Sequence, residues 1–164
     1  PTVPVAPGSP VVGPAAADAN GGSGGGAFLG DEITGDPRVA AAKGAYEHLT
    51  GEDLTGVRIF KGGTALQGAP ARAVNSNTSV ISDGVFSSPA QDFYSFMGHE
   101  FKHVTQFRTI QGFLHVYHHA NQVWGYNANP FEVQAARMGA GFASYATESG
   151  VPANPAYQYP PYFP

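Results

Sequence analysis

Apolar residues recur at helical spacing in four stretches of this chain and alternate in three shorter ones. Val39, Ala42, Tyr46 and Leu49 share one side of a helix over 37–49, with Asp36-Pro37 as N-cap and first position and Gly51 as the stop. Ser88-Pro89-Ala90-Gln91 has the form of a capping box and opens a second helix that runs to about Ile110 and stops at Gly112. Phe93, Met97, Phe101 and Val104 supply its packed side. Phe113, Val116, Tyr117, Ala120 and Trp124 predict a third helix over 113–124. Asn129-Pro130 opens a fourth that ends near Gly150, with Phe131, Ala135, Met138, Phe142 and Tyr145 as its stripe. The alternating segments are 57–61, 71–74 and 79–82, the last two flanking the turn Asn75-Ser76-Asn77. The expected class is α+β, a small antiparallel sheet followed by a helical half.

The ends lack such patterns. Thirteen of the first thirty residues are Gly or Pro and Asp18 is their only charge, so this segment cannot bury enough apolar area to offset its ordering entropy. Residues 1–30 are expected to be a flexible arm, 31–150 the domain, and 151–164, closing in YQYPPYFP, an extended adhesive tail. Charged residues are 12% of the chain, about half the usual share, and the net charge is -4 with no run of Lys or Arg. That argues against a nucleic-acid partner. No apolar stretch approaches the roughly 20 residues of a membrane span. Cysteine is absent, which excludes disulfides, thiolate zinc sites and a Cys nucleophile. The Pro1 start is read as processing or fragmentation, and with the low charge and many Gly and Pro it points to an exported protein, secreted or at the cell surface.

The chemistry concentrates at residues 99–103, HEFKH, an instance of H-E-x-x-H in mid-helix. Residues four apart share a helix face, so His99 and His103 can grip one ion. Glu100 sits about 100° round the helix, where its carboxylate can serve as acid and base without taking a coordination site. A catalytic zinc needs a third protein ligand. The extended pattern with Gly and a third His fails, because position 106 is Gln and 109 is Thr. The remaining candidates are Glu132, Asp92, Glu148 and the later histidines. Asp92 lies two turns down the same helix, too far away. Glu132, 29 residues after His103, is the choice. Asn129-x-x-Glu132 is also a capping box, in which the Glu merely satisfies a backbone N–H. His115 and His119 form a rival pair without an adjoining Glu. His115, His118, His119 or Tyr126 is the candidate donor to an oxyanion.

HEFKH followed by Glu132 in E-x-x-A resembles the gluzincin zinc metallopeptidases. GHEFKHVTQF, a helical spacer ending in Tyr126, and NPFEVQAAR are more closely similar to a compact bacterial metallopeptidase-like family of unassigned function found in exported and toxin-associated proteins. The resemblance covers roughly residues 52–148. It implies a zincin-like half, with His99, His103 and Glu132 as Zn2+ ligands and Glu100 as the catalytic residue. The expected activity is hydrolysis of a peptide or protein substrate. The alternative is an assembly subunit on the same scaffold, forming a homo-oligomer through its arm and tail.

Overall fold

The computed structural model describes residues 28–151. The arm and the tail, and with them the assembly role, lie outside the described residues except at positions 28–30 and Val151. The elements in chain order are β1 (Asp31–Glu32), α1 (Pro37–Thr50), β2 (Arg58–Lys61), a 3-10 turn (Thr64–Leu66), β3 (Ala71–Asn75), β4 (Thr78–Ile81), the short α2 (Asp83–Phe86), α3 (Ala90–Thr109), α4 (Phe113–Trp124), a second 3-10 turn (Tyr126–Ala128) and α5 (Pro130–Glu148). This is an α+β protein with its sheet in the N-terminal half. None of the described helices is long and apolar enough to cross a membrane.

The helix ends follow local chemistry. The Asp36 carboxylate accepts from the N–H of Arg38 at 2.8 Å and of Val39 at 3.4 Å, satisfying donors that have no partner within the first turn. Gly51, at φ 70°, closes α1 in the left-handed conformation that favours glycine. The capping box expected at Ser88 does not form. The Ser88 hydroxyl donates instead to the carbonyl of Val85 at 2.7 Å, closing α2, and Pro89 takes the N-cap position of α3. The short helix upstream competes successfully for that side chain.

The sheet is mixed, which corrects the expectation of an antiparallel one. Its order is β1-β2-β4-β3, with β1–β2 and β3–β4 antiparallel and β2–β4 parallel. The chain leaves β2 at Gly62, passes beyond the position of β4, and returns through the β3–β4 hairpin, so β4 enters between β2 and β3 in the direction of β2. Alternation of side chains has the same period in both kinds of pairing, so direction is invisible to it. β3 is left at the edge of the sheet.

Helix α3 crosses one face of the sheet and buries Phe93, Met97, Phe101 and Val104 against it and against Tyr46 and Phe142. Helix α5 lies antiparallel to α3: Tyr94, near the start of α3, meets Phe142 with ring centroids 5.7 Å apart, and His103, a few turns on, meets Glu132. Two glycines set how close these helices come. A Cβ on Gly139 would stand 2.5 Å from the Ser95 carbonyl and 3.4 Å from the His99 Cβ. A Cβ on Gly98 would stand 2.9 Å from the Phe142 side chain. Backbone therefore packs on backbone beside the first histidine.

Gly139→Ala is expected to force the helices apart and to cost about 1–3 kcal/mol. Gly141→Ala, two residues on, has nothing within 4 Å of the added methyl and should gain up to about 1 kcal/mol from helix propensity. Urea unfolding of both variants checks the opposite signs.

Candidate metal centre

Four-residue spacing places His99 and His103 on the face of α3 that meets α5, and their rings lie edge to face with centroids 4.7 Å apart. The first turn of α5 brings Glu132 between them. Its Oε2 is 3.3 Å from His99 Nε2 and its Oε1 is 3.3 Å from His103 Nε2, while the two Nε2 atoms are 3.1 Å apart. One ligand atom from each of the three residues falls within 4.8 Å of the others. Glu132 and His103 are buried and His99 is partly open. The residues singled out in the sequence are thus brought together.

The capping-box role for Glu132 is not taken up. The Asn129 N–H donates to the Tyr126 carbonyl at 3.2 Å, and the Asn129 side chain caps α5 by accepting from the Phe131 N–H at 3.0 Å. Its amide also donates to Asn121 Oδ1 at 2.7 Å and to the Tyr117 carbonyl at 3.4 Å, fastening the start of α5 to α4. The Glu132 carboxylate is left for the cluster.

Glu100, within electrostatic reach of His99, His103 and Glu132, also meets the sheet. Ser82 N–H donates to the Pro70 carbonyl, so Ala71 and Ala73 occupy the positions of β3 whose N–H groups face away from β4. The Ala73 N–H reaches the Glu100 carboxylate. Edge strand and motif helix are thereby joined at the residue expected to carry the proton.

Further side chains surround the cluster, and of these Tyr126 was expected near it. Tyr117 from α4 donates its hydroxyl to Glu132 Oε1, and the Tyr126 hydroxyl from the second 3-10 turn lies within reach of that carboxylate. His103 Nδ1 lies 2.8 Å from Gln106 Oε1, one turn along α3. Phe113 and Tyr117 wall the His103 ring, with centroids 6.4 and 6.2 Å away. The helical spacing had already put Phe113 and Tyr117 on the packed side of α4, but nothing in spacing reveals where a phenol hydroxyl goes. His115, His118 and His119 are exposed and stand apart from the cluster, as are Asp92 at the start of α3 and Glu148 at the end of α5. Among the four oxyanion candidates, Tyr126 alone is tied to the cluster's carboxylate.

The electrostatics are those of charge held out of water. Burial disfavours the ionised form of Glu132, yet the two imidazoles outweigh it and hold the carboxyl well below its usual range. Burial likewise opposes a proton on His103, but Glu132, Glu100 and Gln106 reverse the balance and raise its affinity for one. Glu100 is raised, chiefly by burial, against the pull of His99 and His103. Burial and then Glu132 push the Tyr117 and Tyr126 phenols far above their ordinary value, so both are donors at any working pH.

No protein-family model, curated protein or solved structure matches this chain.

These shifts set the pH response of the chain stripped of metal. Glu132, lowered from 4.5, adds stability that is present above that value and lost as pH falls. His103, raised from 6.5, and Glu100, raised from 4.5, add stability that is complete below those values and lost as pH rises through the folded ones. In EDTA, Tm is therefore expected to decline as pH rises from about 5 past 6.5. A Tm that climbs across that interval in thermal melts would contradict the assignment.

Proposed function

We propose that the chain is a zinc-dependent metallopeptidase, with His99, His103 and Glu132 as the metal ligands and Glu100 as the general acid and base. The observation that carries this reading is the meeting of two imidazoles and one carboxylate, from two helices, within 4.8 Å of one another. Three nitrogen and oxygen donors with a fourth position left open are the donor set of a catalytic zinc. The residues present fit the ion. The bound ion supplies a Lewis acid that polarises a carbonyl and lowers the pKa of water to about 7.

The remaining work falls to this chain's own side chains. Glu100 takes a proton from the attacking water on its carboxylate and hands it to the nitrogen of the leaving amine. Its proton affinity, raised by burial, favours taking up that proton. Tyr126, within reach of the ligand carboxylate, would stabilise negative charge developing on the carbonyl oxygen by turning its single hydroxyl proton from Glu132 to that oxygen. Phe113 and Tyr117 keep water from the His103 side of the cluster. The edge strand β3 runs beside the motif helix and turns the Ala71 N–H away from the sheet, which suits an extended peptide or protein segment as substrate.

Glu100→Gln is expected to retain zinc while peptide hydrolysis falls by about 10²–10⁴-fold. A fluorogenic peptide or labelled protein assay on zinc-loaded samples reads this out. Cleavage at the wild-type rate in the Gln variant would remove the role assigned to Glu100.

A further inference from the structure

Gln106 is buried at 3% exposure one turn after His103, and each end of its amide has a partner. Its Nε2 donates to the Phe131 carbonyl at 3.3 Å and to Gln134 Oε1 at 2.8 Å, both on α5. Its Oε1 lies 2.8 Å from His103 Nδ1. A backbone carbonyl can only accept, so the NH2 end of Gln106 must face Phe131. The oxygen end must then face His103. An amide oxygen also only accepts, so His103 Nδ1 must carry a proton. A neutral ring that keeps this bond carries its lone pair on Nε2, the atom aimed at His99 Nε2 and Glu132 Oε1.

We propose that Gln106 is a positioning residue that fixes His103 in its Nδ1–H form and presents Nε2 to the metal, an inference that rests on the metal reading above. The same amide ties the second histidine to the helix that bears Glu132. Phe131 and Gln134 flank Glu132 in sequence, so the bonds that orient the imidazole also hold the first turn of α5 in register with it. An oriented imidazole with its second nitrogen already engaged is the usual support of a metal-binding histidine, and losing such a partner costs about 10–100-fold in metal affinity.

The test uses the full chain as wild type, Gln106→Ala and Gln106→Glu. Gln106→Glu keeps an acceptor for Nδ1–H and gives up the donors to α5, so it separates orienting the ring from tying the helices. Zinc affinity by chelator competition is expected to fall about 10–100-fold in Gln106→Ala and to stay close to wild type in Gln106→Glu. Nitrogen NMR of the metal-stripped chain, at a pH where His103 is neutral, should place the ring proton on Nδ1 in wild type and in Gln106→Glu. Wild-type zinc affinity in Gln106→Ala, or a wild-type ring protonated at Nε2, overturns the proposal. If the wild-type chain takes up no zinc, the metal reading fails separately. The tautomer then decides the inference alone, Nδ1–H supporting it and Nε2–H overturning it.

Discussion

The close approach of α3 and α5 is the constraint on which the site depends. The two helices run antiparallel, and at their crossing Gly98 and Gly139 bring backbone against side chain and backbone where any Cβ would collide. The crossing lies beside His99. From there α5 runs back toward its own N-terminus, and Glu132, in the first turn, falls level with His103. With a larger residue at the crossing, the same side chains would sit on helices too far apart to share an ion. The aromatic core beneath, with Tyr46, Tyr94, Phe101 and Phe142 edge to face, locks the pair in that relation.

Bringing these groups together creates an electrostatic demand. Two ring nitrogens and a buried carboxylate converge, and Glu100 adds a second buried acid on the neighbouring face. Left in a dry interior, such a set is satisfied only by protons, hydrogen bonds or a cation. The surrounding side chains answer part of the demand with hydroxyl and amide donors from Tyr117, Tyr126 and Gln106. Those donors also hold the ligands in place, which is what a metal centre requires of its surroundings.

Much of the site was legible in the sequence because it rests on short-range rules. Four-residue spacing put His99 and His103 on one face, and Asn129-Pro130 marked the helix start that places Glu132. What escaped depends on contacts between distant segments. Gln106 was visible only as the residue that broke a longer metal pattern, although its position three after His103 is where a helix offers a partner. Tyr117 read as one more apolar contact of α4, since its hydroxyl finds a partner 15 residues later, across a turn. Strand direction was lost because β2 joins β4 only after the chain has passed through β3. Ser88 was misread because α2, a four-residue helix too short to show periodicity, claims its hydroxyl.

The central claim is that His99, His103 and Glu132 form a zinc site, and metal content tests it most directly. Elemental analysis of the purified full chain, equilibrated with zinc and freed of excess, should find one zinc per chain. The same measurement on the folded His99→Ala, His103→Ala double variant should find none. Equal zinc in both proteins, or none in the wild type, would contradict the account.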